Sequence, residues 1–349
     1  MSSLVNWVKK HPIIYYAGAV YRLGKTVEGR RKVIGILTDP RSVEIEKRGD
    51  LHKGMLVCEI DPVVEHSGFF AVFRRLLSAL YFSDEIGAKP YVAYSKDFIY
   101  AEDHPVNESD DPFGYYFCPI RAVEEKSLKQ LNAVIRFSPK HIRLAENLNG
   151  EVSYLNYRVT DEYLQAMAST CKKYIELNDV MEAYVQKGIA EIDADDRTLA
   201  VHCRGTDFNL GCKNHPVIVT VEDYFRFIDE LLQTGEFDKI FLATDDENRL
   251  KKFIEKYGDQ VRYYRDVKRT SGSEGVHYST SNRENHHYWL GAEVIRDVYT
   301  MASCGGLVAG MSEVSIGARV FKQANGQKFK KLMIIDKGIM TQGAYFTHK

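Results

Sequence analysis

The stretch MLVCEIDPVVEHSGFFAVFRRLLSALYFSDEIGAKPYVAY, Met55–Tyr94, decides the fold class. Met55 to Ile60 is a short apolar run followed by Pro62, the mark of a strand that ends in a turn. Apolar residues then recur at helical spacing at Phe69, Val72, Phe73, Leu76, Leu77, Leu80 and Ile86, with Arg74, Arg75 and Ser78 on other faces. Gly87 stands where a glycine ends a helix, and Tyr91 to Tyr94 reads as a second strand. Strand, glycine-containing turn, helix and strand make a βαβ unit, which implies a right-handed crossover and a parallel sheet. The run Val33 to Thr38, followed by Pro40, reads as a further strand of the same half.

Outward from this unit the alternation returns. Asp161 to about Ile192 is helical, with Leu164, Met167, Cys171, Ile175, Met181, Val185, Ile189 and Ile192 apolar among charges. Beyond it, strands over Thr198–Cys203, Ile240–Ala243, Gln260–Tyr264, Gly306–Ala309 and Lys331–Ile335 alternate with helices over Val221–Thr234, Glu247–Tyr257 and around Ala292–Ser303. A further helix precedes the last strand. Three hundred and forty-nine residues exceed what one core usually serves. The expected organisation is an N-terminal helical segment over 1–32, an α/β domain over 33–160, a helical linker over 161–195 and a second α/β domain over 196–349. Two Rossmann-type domains facing a cleft serve transferases, periplasmic binding proteins and dehydrogenases alike, so the fold does not choose a function.

Composition narrows the classes. Lys plus Arg (47) cancels Asp plus Glu (48) to a net charge of -1, which argues against broad electrostatic binding of nucleic acid and makes any anion site local. The six cysteines form no CxxC pair and read as reduced thiols of a reducing compartment. Leu4 to Leu23 contains Lys9, Lys10, His11, Pro12 and Arg22 and falls short of the roughly 20 apolar residues of a membrane span, so neither signal peptide nor anchor is expected. With Trp7, Tyr15, Tyr16 and Tyr21, this segment suits either a helix packed on its own domain or one lying on an anionic membrane or a partner. The expected location is cytoplasmic, with that segment as the point of any peripheral membrane contact.

The segment Ala200-Val201-His202-Cys203-Arg204-Gly205-Thr206-Asp207 carries the chemistry. Ligands of open parallel sheets bind outside the carboxyl ends of the strands, where His202, Arg204, Gly205 and Asp207 fall. Arginine there is a phosphate clamp, because its planar fork donates paired hydrogen bonds and stays charged. A salt-bridged strand end with a satisfied histidine is the other reading. Asp245-Asp246 is compatible with a metal-holding pair, which an arginine clamp makes unnecessary, and no metal is expected. The aromatic cluster Tyr91, Tyr94, Phe98, Tyr100, Phe113, Tyr115, Tyr116 and Phe117 reads either as core or, through Asp111–Phe117, as part of a sugar-stacking acceptor surface. The polar loop Arg269–Tyr288 reads as a flap beside the ligand or a plain surface loop.

His202-Cys203-Arg204-Gly205-Thr206-Asp207 resembles the His-x-Arg-x-Thr/Gly-Asp signature of the fucosyltransferase superfamily, which includes core α-1,6-fucosyltransferases, rhizobial nodulation fucosyltransferases and protein O-fucosyltransferases. Other elements follow in the family's order. Phe241-Leu242-Ala243-Thr244-Asp245-Asp246 is similar to its strand ending in Thr-Asp-Asp, and Asp297 precedes Ser312, in Val308–Ser315, as the family's aspartate precedes its serine loop. Glu65-His66-Ser67-Gly68-Phe69-Phe70 resembles its glycine loop, so the likeness runs from about Met55 to Phe321.

The resemblance implies a GT-B fold and an inverting, metal-independent transfer from GDP-fucose to a hydroxyl of a glycan or lipid-linked saccharide. No cofactor besides the donor is implied. Arg204 would neutralise the β-phosphate, with Asp207 beside it as the second catalytic residue. His202, Asp245 and Asp246 would lie at the nucleotide, Asp297 would accept from guanine, Ser312 would contact the diphosphate and Gly68 would belong to the closing loop. Gly205 departs from the second arginine frequent in the family, for which Arg269, Arg283 or Lys213 would substitute from loops. The family's proposed base aligns near Cys212, which is no carboxylate, leaving Asp207, His215 and Glu65 as candidates. A transferase using another nucleotide sugar and a binding protein without turnover are the alternatives.

Overall fold

The computed structural model of the chain describes residues 39–150, 157–205, 213–270 and 281–342, with residues 17, 18, 21, 25 and 26. The run Val33–Thr38 and nearly all of the N-terminal segment lie outside the described residues. Among the described residues the protein is mixed α/β with two sheets, whose β1–β8 strands all pair in parallel. Among the described residues no helix is long and apolar enough to cross a membrane.

The first sheet has the order β2-β1-β3, with β1 at Val57–Ile60, β2 at Lys89–Val92 and β3 at Val134–Arg136. Helix α1, Phe69–Glu85, makes the crossover between β1 and β2. The sequence pattern does not reveal β3, because three residues are too few to show a period. Both edges of this sheet are covered: Glu46 pairs antiparallel with Val134, and Arg121 with Tyr91. Edge amides that would otherwise recruit a foreign strand are thereby occupied.

Two helices, α2 (Asp161–Tyr174) and α3 (Asp179–Ile192), lead to the second sheet. Each begins at a side-chain cap: Thr160 Oγ1 accepts from Tyr163 N at 3.1 Å and Asn178 Oδ1 from Met181 N at 3.0 Å. The second sheet has the order β6-β5-β4-β7-β8, with β4 at Thr198–His202, β5 at Lys239–Ala243, β6 at Val261–Arg262, β7 at Gly306–Gly310 and β8 at Lys331–Ile335. Helices α4 (Val221–Gln233) and α5 (Glu247–Tyr257) cover one face, over Leu199, Val201 and Cys203 of β4. Helices α6 (His286–Ser303) and α7 (Glu313–Ala324) pack on Ala200, Phe241 and Ala309 of the other face.

That second face opens into a core shared by both sheets. Phe70, Phe73 and Leu76 of α1, Met167 of α2 and Met181 of α3 are buried together with Ile295 of α6 and Ile316 of α7. The helices α2 and α3, expected as a linker, contribute Tyr163, Met167, Met181 and Val185 to this core. A Cβ at Gly317 would stand 2.5 Å from the Phe70 ring, so the close approach of α1 and α7 requires glycine there.

The aromatic segment Asp111–Phe117 is not an acceptor surface. Tyr94, Phe98, Tyr100, Phe113, Tyr115, Tyr116 and Phe117 are all buried in one cluster with Phe69, whose ring centre lies 5.1 Å from that of Tyr116 and 5.4 Å from that of Tyr100, and Tyr91 is buried in a separate cluster with Val57 and Val134. Rings covered by one another leave no face for a sugar. Helix α6 starts at His286 rather than near Ala292, because Glu102 Oε1 reaches across from the first sheet's side to accept from Tyr288 N at 3.0 Å.

One charged cluster crosses the shared core. The buried Arg74 of α1 donates from Nη2 to Glu146 at 2.7 Å, from Nη1 to Glu313 at 3.2 Å and from Nε to the Tyr163 hydroxyl at 2.8 Å. Arg74→Met would strand two carboxylates in a desolvated site, and we expect it to lower the unfolding free energy by about 3–5 kcal/mol. Chemical denaturation measures this; a loss below about 1 kcal/mol would show that the cluster is dispensable.

Candidate functional site

The site lies at the carboxyl ends of the second sheet, where neighbouring strands stand about 4.8 Å apart. Beyond β4 the ladder continues for one bond, Cys203 N to Ala243 O at 3.0 Å, and Thr244 Oγ1 donates to Cys203 O at 2.7 Å. These bonds fix the chain that delivers Arg204. Cys203 itself is buried against α4 and α5, and burial pushes its thiol up to about 12, so it is no nucleophile.

Arg204 and His202 share a recess open to solvent with Ser312, Tyr224 and the segment Pro216–Val219. His202 Nδ1 is 3.3 Å from Ser312 Oγ. The Ser312 oxygen also accepts from Ser315 N at 3.0 Å and so caps α7, whose amino end opens at the recess. Such an end carries positive partial charge and suits an anion.

The two aspartates after β5 serve different ends. Asp245 Oδ1 accepts from Gly205 N at 2.9 Å and holds the backbone just past Arg204. Asp246 is a helix cap: its Oδ1 accepts from Asn248 N at 2.8 Å and Arg249 N at 3.1 Å. Arg249 in turn donates to Val219 O at 2.9 Å, tying this cap to the wall of the recess. Among the described residues no group of three or more His, Cys, Asp or Glu side chains is placed to hold a metal ion.

Asp297, on α6, forms no hydrogen bond with any described residue and is half-buried. Desolvation pushes its carboxyl up to about 7, against the pull of Arg296 and Arg269. Arg296 is held by Asp266 at 2.7 Å and lies on the Tyr264 ring. Arg269 donates to Thr244 O at 3.2 Å and Tyr264 O at 2.8 Å, so its charge sits just past the ends of β5 and β6. Asp297 is not among the residues that line the recess with Arg204.

Gly205 has a steric reason. A Cβ there would meet Asp246 Cβ at 2.5 Å, so the second arginine of the resembled family has no place beside Arg204. Of the cations expected to replace it, Arg269 reaches the strand ends, whereas Arg283 pairs with Glu293 of α6. Lys213 begins a segment whose backbone joins 338–340 through bonds such as Asn214 N to Met340 O at 2.9 Å. Gly68 precedes α1 at an ordinary φ of -63°, and a Cβ there would meet nothing within 4 Å, so neither backbone nor packing demands glycine. Asp207, Thr206, Cys212 and residues 271–280 of the polar loop, His277 included, lie outside the described residues. Of the remaining base candidates, Glu65 is exposed and pairs with His66 at 3.3 Å, and His215 lies beside the C-terminal segment, its carbonyl accepting from Met340 N at 2.9 Å.

Glu313, which sequence reasoning did not single out, is the first residue of α7, follows Ser312 and accepts from Arg74 at 3.2 Å. Its only local signal is that of an acidic residue after a serine cap.

No protein-family model and no curated protein matches this chain. Solved structures do resemble it. Fucosyltransferase NodZ from Bradyrhizobium is 15% identical over 76% of this chain and 92% of its own, with a TM-score of 0.45. NodZ alpha-1,6-fucosyltransferase soaked with GDP-fucose gives 15%, 77%, 93% and 0.46. POFUT1 in complex with GDP is 10% identical over 80% of this chain and 98% of its own, with a TM-score of 0.49.

The contact of Gly205 with Asp246 yields a prediction. Gly205→Ala forces the cap of α5 to move, and we expect a stability loss of about 1–3 kcal/mol in chemical denaturation. An unchanged midpoint would mean that the loop has room to spare.

Proposed function

We propose that this protein is an inverting glycosyltransferase of the GT-B type that moves fucose from GDP-fucose to a hydroxyl of a glycan or lipid-linked saccharide. The observation that carries the reading is Asp297 of α6, a half-buried carboxylate with no hydrogen-bond partner among the described residues, whose proton affinity burial raises against the pull of Arg296 and Arg269. A carboxylate is the natural partner of the guanine edge, which presents two adjacent N–H donors. Uracil has one such donor, and adenine sets an acceptor beside its amino group. Leaving the buried acid unpaired or facing an acceptor is costly, so the position discriminates among bases.

In this reading the diphosphate reaches Arg204 and the amino end of α7. As the bond between the anomeric carbon and the phosphate oxygen breaks, negative charge grows on the β-phosphate, and Arg204 stabilises it most at that moment. The acceptor oxygen attacks the opposite face of the sugar, which inverts the anomeric configuration. Asp245 contributes by holding Gly205, and Asp246 by capping α5, so both act through the backbone that presents Arg204. Asp207 is assigned with Arg204 to the reacting end on the sequence resemblance alone. Arg204 supplies the charge that a metal would otherwise bring, which makes the reading metal-independent. The exclusion of a second arginine at 205 favours, as a second reading, a nucleotide-sugar-binding protein without turnover.

Calorimetric titration with GDP, UDP and ADP, with and without EDTA, is the test. We expect GDP to bind selectively and equally well in EDTA, and Arg204→Ala to abolish transfer while weakening binding. Preference for UDP, or no binding, would sink the reading; binding without turnover on any acceptor would select the second one.

The charge of Asp297 adds a pH signature. Only the ionised acid accepts from guanine, and its proton leaves at about 7. GDP-fucose, whose diphosphate does not titrate near neutrality, should bind about tenfold more weakly per pH unit below 7. Asp297→Asn should bind weakly with a flat profile. A flat profile in the wild type would remove Asp297 from the site.

A further inference from the structure

The segment Asp266–Thr270 is bonded to α6 on one side and to the end of β5 on the other. Toward α6, Asp266 accepts a pair of bonds from the buried Arg296, at 2.7 and 3.0 Å, and Arg296 is the residue before Asp297. The Arg296 guanidinium is stacked between the rings of Tyr184 and Tyr264, 4.5 and 3.7 Å from their centres, which keeps this anchor in place. Toward β5, Arg269 donates from Nε to Thr244 O at 3.2 Å, from Nη2 to Tyr264 O at 2.8 Å and from Nη1 to Val267 O at 3.4 Å. The next residue continues the attachment: Thr270 N donates to Asp245 O at 3.0 Å, and Glu247 N to Thr270 O at 3.0 Å.

Thr244 and Asp245 hold the chain on either side of Arg204. Thr244 Oγ1 donates to Cys203 O at 2.7 Å, and Asp245 Oδ1 accepts from Gly205 N at 2.9 Å. Two bonded routes therefore run from Arg269 and Thr270 to the residues before and after Arg204. The rigid guanidinium fork of Arg269, with all three nitrogens given to backbone carbonyls, braces the ends of β5 and β6 at one spacing. A lysine ammonium would keep the charge but not the fork.

We propose that Arg269 is a positioning residue, a strut that sets the spacing between α6 and the strand end presenting Arg204, rather than a second cation for the phosphates. A ligand held at both ends binds well only at the right spacing, because its second contact is then made with little further loss of freedom. A ligand that reaches Arg204 alone can follow it. The proposal rests on the reading above for the ligand being a guanine nucleoside diphosphate held by both Asp297 and Arg204.

The test titrates GDP and inorganic pyrophosphate calorimetrically into the full chain at fixed low salt and pH 8, above the titration of Asp297, and reads hydrogen exchange at the Gly205 amide. Arg269→Lys keeps the positive charge and loses the fork; Thr244→Val keeps Arg269 and cuts its route to Cys203. Each should weaken GDP binding about fivefold or more and pyrophosphate binding less than about twofold, and Arg269→Lys should speed exchange at Gly205. The double variant should bind GDP within about twofold of Arg269→Lys alone, since both changes cut one route. A purely structural role would lower the melting temperature without separating the two ligands. Equal losses for GDP and pyrophosphate in Arg269→Lys would assign Arg269 to the phosphates and overturn the proposal, as would unchanged GDP binding or multiplied losses in the double variant. If Arg269→Lys does not fold, Thr244→Val decides by the same split. A wild type that binds pyrophosphate but not GDP overturns the guanine reading and leaves exchange at Gly205 to decide the strut; a wild type that binds neither overturns both.

Discussion

The guanidinium of Arg74 is the constraint on which the arrangement of the two sheets depends. It is buried, and its three donating nitrogens reach the α2 hydroxyl of Tyr163, the acid Glu146 and the acid Glu313 of α7. A charge taken out of water is tolerable only when every donor finds an acceptor, so α1, α2 and α7 have little freedom to slide against each other. Apolar packing alone would accept several registers of three helices. The cluster, with the glycine at 317 that lets Phe70 approach α7, selects one.

That selection reaches the recess through α7. Fixing this helix fixes Ser312, its cap, and with it the position of the helix amino end beside His202 and Arg204. A second chain of bonds fixes the other side: Asp245 holds Gly205, Asp246 caps α5, and Arg249 carries the restraint on to Val219. Side chains that look from sequence like ligand-binding acids thus build the wall as much as they line it. Asp297 differs, because its carboxylate remains unbonded among the described residues at a cost visible in its raised proton affinity.

Legibility followed the range of the interactions. Met55–Tyr94 was readable because the helical period and its bounding turns are local, and the strand ends at His202 and Ala243 were readable because polar residues stop an apolar run. What failed was set at long distance. Helix α6 takes its cap from Glu102, 186 positions before Tyr288, and Arg74 and Glu313 are 239 positions apart. The aromatic run Phe113–Phe117 carries no period that separates a sugar-stacking face from a core, and only its packing around Phe69 decides. A strand as short as β3 leaves no pattern, and its pairing partner defines it.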